Sequence, residues 1–406
     1  MRIAVVETSR YGGLLHYAFQ LASGLAADGH QVDLLVPRGH ELAAEPPSSP
    51  ATGSLSVRAL LTPPDRQDRP PPRARWRYQL RRAFIAARLV ASCARILRQV
   101  RRDRYDAVVL QWGLPFPVFT GATRILLRRR SRPVVGYVLH NVMPFNAGPG
   151  ERLHKDDEAS VRTLSSLLPQ FDVIFVHGRR SLEQYRQLWP ATEVTVIPHG
   201  NQQVFQPPED AAETAERVLF FGDWRKVKGL PVLMDAFDLL VERCPQARLT
   251  IAGAPAPADF DDRRVREWAR GHGERVTLVP RYVPMADVPA LFGSARVVVL
   301  PYLTASQSGV AHLAMTFGRP VVASDVGDLP EVVIDGINGL IVPPGDPAAL
   351  ARALERLLSE PSVAAEMGLA GQLRARVDAD WQSVGRRVAT ALAEAGSKRQ
   401  QSRRSS

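Results

Sequence analysis

The sequence predicts an α/β protein of two doubly wound domains, each built on a parallel sheet, facing one another across a cleft. Three observations predict it. Short apolar runs alternate with amphipathic helical runs in both halves of the chain. The alternation breaks once, at 198–216, where Pro207, Pro208 and a polar run mark an interdomain linker. Polar residues suited to binding directly follow the apolar runs, at the carboxyl ends of the strands, where open α/β sheets hold their ligands.

Composition sets the bounds. A chain of 406 residues suits two or three domains, and 45% hydrophobic with 23% charged residues is ordinary for a globular protein with a large core. Cys93 and Cys244 form neither a metal spacing nor a disulfide framework, which fits a reducing compartment. Residues 1–6 run straight into a strand pattern without the apolar length of a secretory peptide, and no run approaches a bilayer span. The expectation is a cytoplasmic protein. A formal net charge of +11 admits nucleic acid, acidic lipid or a phosphorylated ligand as partner. The basic residues carry no interleaved aromatics on a sheet and no recognition motif, so nucleic acid is not the expected partner.

In chain order, residues 3–6 read as a strand, 14–28 as a helix closed by Gly29, and 31–36 as a second strand. This βαβ unit makes the sheet parallel. Residues 41–75 are rich in Pro and Ser and read as a long, partly disordered loop. Residues 73–104 carry eleven arginines, from Arg73 to Arg104, against Asp103 alone, with Leu80, Phe84, Leu89, Ile96 and Val100 between them. Such a basic amphipathic helix suits the headgroups of an anionic membrane, which would place the protein peripherally at the inner face; the alternative is a surface helix whose arginine stems cover apolar neighbours. Further strands are expected at 107–110, 134–139, 173–176 and 194–197. After the linker, strands fall at 218–221, 248–252, 276–279, 297–300, 321–323 and 339–342, with helices between. Long helices close the chain at 348–358 and 381–395, followed by a basic, disordered tail. The domains are therefore set at 1–200, 201–380, a C-terminal helix at 381–396 and the tail at 397–406.

The stretch 303–318 has a loop of small polar residues between a strand and a helix. Val310, Leu313, Ala314 and Phe317 form one apolar stripe, Gly318 and Pro320 stop it, and Ser306 or Ser308 can cap its start. The amides of Ser308, Gly309 and Val310 then lack intrahelical acceptors and form an anion site, worth roughly 0.3–2 kcal/mol from the dipole. An ordinary capped helix is the alternative. Gly12 and Gly13 follow the first strand and allow close backbone approach to a ligand, although the run is not a dinucleotide fingerprint. His140, His177 and His199 each follow a strand and look like a cleft lining, without metal-ligand spacing. Arg225, Lys226 and Lys228 crowd one strand–helix loop, where an anion between them would relieve their repulsion.

These segments together resemble the retaining glycosyltransferases of the GT-B fold, family 4, over most of the chain. The resemblance is carried by Phe220, Phe221, Gly222, Arg225, Lys228 and Gly229, by the runs 297–302, 318–333 and 335–346, and by Tyr11 to Gly13, His140 with Asn141, and 196–200. It implies two Rossmann-like domains, with the acceptor on the N-terminal one and a nucleotide-diphosphate sugar on the C-terminal one. Arg225 and Lys228 would hold the donor diphosphate in place of a metal ion, and no cofactor is expected. The loop of Gly12 and Gly13 would close on that diphosphate, His140 would lie by the transferred sugar, and the 279–283 loop with Tyr282 would receive the nucleobase.

One departure stands out. The family's two glutamates, eight positions apart, are replaced by Ala305 and Leu313. Gln307, Ser308 and Gly309 match a Gln-Ser-Gly subgroup resembling exopolysaccharide-type transferases. Gln307, Ser308, Gly309 and Val310 are then the expected donor contacts. The function implied is transfer of a hexosyl unit with retention to a sugar, lipid-linked or small-molecule acceptor. The competing reading is an inactive nucleotide-binding or scaffold protein of the same fold.

Overall fold

The computed structural model describes all residues except 44–53, 63–74, 112–116, 130, 143–154, 191–192, 203–204, 206–215, 257–260, 379 and 405–406. The first half contains β1 (Arg2–Val6), α1 (Gly13–Ala27), β2 (Gln31–Pro37), β3 (Ser54–Leu61), α2 (Arg75–Asp103), β4 (Ala107–Leu110), α3 (Pro117–Leu127), β5 (Val134–Val138), α4 (Lys155–Leu167), β6 (Val173–Val176), α5 (Arg179–Leu188) and β7 (Val194–Val196). The second contains β8 (Arg217–Phe221), α6 (Leu230–Arg243), β9 (Arg248–Ala252), α7 (Arg263–His272), β10 (Val276–Val279), α8 (Val288–Gly293), β11 (Val297–Leu300), α9 (Gly309–Thr316), β12 (Val321–Ser324), α10 (Leu329–Val332), β13 (Gly339–Val342), α11 (Pro347–Ser359), α12 (Pro361–Asp378) and α13 (Trp381–Arg404).

Each half forms one sheet, ordered β3-β2-β1-β4-β5-β6-β7 and β10-β9-β8-β11-β12-β13. The strand pairs are parallel throughout, for example Ile3 with Ala107 and Val218 with Leu249. Apolar runs suit such strands because both faces are covered. In β1, Ala4 and Val6 enter the cluster with α2 and α3, while Ile3 and Val5 enter the opposite cluster with α1. The second sheet is covered by α6, α7, α11 and α12 on one side and by α8, α9 and α10 on the other.

Three expectations need correction. The loop set at 41–75 contains β3, which pairs in parallel with β2 from Gln31–Ser54 onward; Pro70, Arg73 and most of the remainder lie outside the described residues. The tail is helical to Arg404, not disordered. Lys398 pairs with Glu193 at 2.6 Å, and Arg399 donates to the carbonyls of Arg132 (2.7 Å) and Pro133 (2.9 Å). Helix α12 was not anticipated. Most of the expected linker, including Pro207 and Pro208, lies outside the described residues.

Helix α13 leaves the second lobe and packs on the first. Trp381, Val384, Val388 and Leu392 join the α1 cluster. The approach is backbone to backbone: a Cβ on Gly24 would lie 1.9 Å from the Trp381 carbonyl oxygen, and one on Gly385 would lie 2.4 Å from the Gly24 carbonyl carbon. The expected basic helix is α2. Ser92, Cys93, Ile96 and Val100 are buried, while Leu80, Phe84 and Val90 are each more than half exposed on the outer side.

Candidate functional site

Two loops of the second lobe interlock beneath the cleft. Gly229, at φ 69°, sits so close to the β11–α9 loop that a Cβ would lie 1.8 Å from the Pro301 carbonyl oxygen. The Leu303 amide donates to the Val227 carbonyl at 2.9 Å. This seating places the Lys228 ammonium 3.8 Å from the centre of the Tyr302 ring. The Tyr302 hydroxyl lies 3.3 Å from Ser308 Oγ. Ser308 is the N-cap residue of α9 by backbone, but its hydroxyl makes no capping bond. The Ala311 amide donates to the Ser308 carbonyl at 3.1 Å, and the amides of Gly309 and Val310 are left for another acceptor. Gln307 Oε1, buried beside them, has no hydrogen-bond partner among the described residues. Gly309 begins the helix, 3.4 Å from His199 Cε1 at its would-be Cβ, and Val310 packs partly into the core.

The crowded cations differ from expectation. Arg225 does not stand unpaired: its Nε lies 2.7 Å from Asp223 Oδ2, a bent ion pair within the same loop. Asp223 supplies an internal anion where the sequence suggested a bound one.

The first lobe answers with the loop before α1. Gly12, at φ 88°, is a conformation glycine adopts without strain. Its amide donates to Glu41 Oε1 at 2.7 Å, and Gly13 starts α1. Glu41 Oε2 accepts from the hydroxyl of Tyr282, in the second lobe, at 2.7 Å. The Tyr282 ring lies 5.1 Å from that of Tyr11. Tyr282 and the Gly12 loop therefore meet directly across the cleft.

The strand-end histidines converge as well. Buried Tyr17 touches the rings of His140, His177 and His199 at 4.7, 5.2 and 5.1 Å. His177 Nε2 is 3.3 Å from His140 Nδ1, and His140 Nε2 is 3.1 Å from the Gln111 amide. His199 stacks on His312 of α9 at 4.8 Å. Four imidazoles thus run from the first sheet to the N-terminal half of α9. Gln111 Oε1 can only accept, so neutral His140 donates to it from Nε2 and in turn accepts at Nδ1 from His177 Nε2; His177 Nδ1 lies 3.4 Å from the Ile197 carbonyl. Burial pushes His140 down to about 3 and His199 to about 4, and holds His177 and His312 well below 6.5. The cluster is uncharged at neutral pH.

A second junction closes the cleft. Ser181 donates its amide to Asp328 Oδ1 (2.9 Å) and its hydroxyl to Asp328 Oδ2. Glu331 accepts from the amides of Arg179 and Arg180 at the start of α5. Among the described residues, no group of three or more His, Cys, Asp and Glu is arranged to hold a metal ion.

The structure therefore gathers Lys228, Ser308 and Gly309 at one end of α9, Gly12 and Tyr282 across the cleft, and His140 at the far end of the imidazole row. Sequence reasoning missed Glu41, Gln111, Tyr17 and His312. Glu7 was also missed; it directly follows β1, and burial raises its carboxyl to about 7. His312 lies off the apolar stripe of its helix and carries no signal of its own, and Glu41 lies in a segment without periodicity. The helical spacing of Tyr17 from the Gly12 turn was the available signal for that residue.

Residues 11–201 match the family described as Glycosyltransferase Family 4, and residues 215–360 match Glycosyl transferases group 1. The chain is 27% identical over 400 residues to the glycogen synthase of Mycobacterium tuberculosis, covering 94% of this chain and 90% of that protein. Its fold resembles sucrose-phosphate synthase from Thermosynechococcus elongatus, with a TM-score of 0.72, 22% identity and coverage of 97% and 98%. It also resembles Anabaena Alr3699/HepE, solved with UDP and glucose, with a TM-score of 0.68, 18% identity and coverage of 97% and 100%. No described helix is long and apolar enough to cross a membrane.

Proposed function

The chain belongs to the family 4 glycosyltransferases, with the two-domain GT-B fold, and from that premise we propose that it moves a hexosyl unit from a nucleotide-diphosphate sugar to an acceptor hydroxyl with retention. The observation that carries this reading is the link from Lys228 through Tyr302 to Ser308, which ties a cation to the helix start that presents the Gly309 and Val310 amides. The sugar–phosphate C–O bond breaks, the anomeric carbon bonds to the acceptor oxygen, and the nucleoside diphosphate leaves. Lys228, Arg225 and the α9 amides stabilise the charge that develops on the leaving phosphate. In this reading they do so without a metal ion, and the departing phosphate takes the acceptor proton. Neutral His140 contacts the transferred sugar. Closure of the lobes keeps water from the anomeric carbon.

The donor is read on the second lobe and the acceptor on the first, in the service of glycolipid, exopolysaccharide or other glycoconjugate synthesis. Alr3699/HepE, the relative solved with UDP and glucose, supports a nucleotide donor. The outer side of α2, with Leu80, Phe84 and exposed Arg98, Arg101 and Arg102, fits a cytoplasmic protein docked on anionic lipid near a lipid-linked acceptor. Failure to sediment with anionic vesicles at ~0.15 M salt, where screening is substantial, would remove the docking alone.

A second reading has its own support. Leu313, at one of the missing glutamate positions, is buried in the core, so no side chain there replaces the carboxylate. A nucleotide-binding scaffold would result. Thermal shifts with UDP, GDP, ADP and their sugars decide the matter together with product analysis. A saturating ligand at 100 times its Kd adds about 2.7 kcal/mol. Binding without any sugar transfer or hydrolysis would favour the scaffold; activity lost on treatment with EDTA would overturn the metal-free scheme.

A further inference from the structure

Glu41 stands where the donor reading places phosphate. Helix α1 is 15 residues long, and its positive end opens at Gly12. The Gly12 amide is already taken, by Glu41 Oε1 at 2.7 Å. The same oxygen lies 2.6 Å from Nε2 of buried His16. The second oxygen accepts from Tyr282 at 2.7 Å. One carboxylate thus touches both the loop read as closing on the diphosphate and the loop read as holding the nucleobase.

We propose that Glu41 is a built-in stand-in for the donor phosphate, which closes the cleft between Gly12 and Tyr282 and is displaced when a nucleoside diphosphate binds. The proposal rests on the donor site described above. Burial alone would raise the Glu41 carboxyl, but His16, Tyr282 and the Gly12 amide outweigh it and hold it below the usual carboxylate range. It is therefore an anion at neutral pH. Two anions cannot share one amide without strong repulsion in a partly dry cleft. Either the diphosphate stays away from Gly12, or Glu41 leaves. Departure is easy to accommodate, because Glu41 sits on a single turn, residues 41–43, whose first amide is tied to the Arg10 carbonyl. Release of Glu41 also frees the Tyr282 hydroxyl. The device suits a transferase in which an empty, open cleft would admit water.

The opposite role is a positioning residue that shapes the Gly12 loop for the donor, and the two roles predict opposite signs. UDP, GDP and ADP are titrated calorimetrically into the full-length protein, Glu41→Gln, Glu41→Ala and Lys228→Ala, with melting temperatures as a folding control. The tightest of the three ligands is then compared with its parent nucleoside. The stand-in predicts that both Glu41 variants bind the diphosphate roughly tenfold tighter, the scale of one charge-assisted contact, with a much smaller gain for the nucleoside. Unchanged or weaker diphosphate binding in both variants overturns it, as does an equal gain for the nucleoside. Lys228→Ala separates the premises. If it leaves affinity intact, or if no diphosphate binds, the donor site itself is misplaced and the stand-in falls with it. If it weakens binding while the Glu41 variants show no gain, only the stand-in is wrong.

Discussion

The ammonium of Lys228 sits 3.8 Å above the ring of Tyr302. The ring faces the cation with its negative π-surface and, through its hydroxyl, reaches the α9 N-cap at Ser308. Lys228 is thereby aimed by packing and not by a carboxylate, so its charge remains available to a ligand.

Lys228→Ala should cost about 1.5–3 kcal/mol of donor binding or transition-state stabilisation, on the scale of a hydrogen bond to a charged group. The check is kcat/KM, expected to fall by roughly 10- to 150-fold, alongside an unchanged melting temperature. Arg225→Ala should cost less, since Asp223 already occupies part of that guanidinium. Equal and negligible effects would show that the pair does not meet the diphosphate.

Stability should fall in mild acid. The four clustered histidines have folded-state values below 6.5, so the unfolded chain binds more protons as pH drops. Their contribution is complete above about pH 6.5 and is lost progressively toward pH 4. One such histidine removes about 2 kcal/mol by pH 5 relative to pH 7.5. Urea unfolding at pH 5, 6 and 7.5 should show the slope, and His140→Gln should flatten it. A pH-independent midpoint would mean the imidazoles are not desolvated.

Gly178 touches Asp328 across the cleft, where a Cβ would lie 2.2 Å from the carboxyl carbon. Its backbone is extended (φ −152°), so alanine is tolerated locally and clashes only with the opposite lobe. Gly178→Ala should therefore hold the lobes apart while each stays folded. Small-angle scattering should report a larger radius of gyration, with activity reduced by at least about tenfold if closure assembles the site. Unchanged scattering and activity would show this junction to be dispensable.

Gly385→Ala acts on stability. The added methyl meets the backbone of Gly24, where no side chain can yield. Overpacking of this kind costs about 1–3 kcal/mol. Chemical unfolding should register that loss, and a neutral result would mean α13 detaches from α1 at little cost.

The strands were legible because parallel strands covered on both faces need uninterrupted apolar residues, as in 107–110 and 297–300. Strand β3 escaped because it lies at the sheet edge, mostly outside the core, within a Pro- and Ser-rich segment. The end of α13 escaped because its residues are polar and its anchors, Asp172 and the carbonyls of Arg132 and Pro133, are distant in sequence. Strand-end residues of the site were found by a rule of topology. Glu41, Gln111 and His312 were not, because their importance lies in what they meet and not in what precedes them.

The return of α13 has a mechanical consequence. The chain passes between lobes twice, near Asn201 and again before Trp381, and the two passages are fastened together: Trp381 Nε1 donates to the Asn201 carbonyl at 2.6 Å, and Asn201 Nδ2 to Ala375 at 3.0 Å. Two ropes tied at one knot resist sliding and twisting but leave a swing about the knot. A body so tethered can return to the same closed pose, which is what the transfer proposed above, between substrates on opposite halves, would demand.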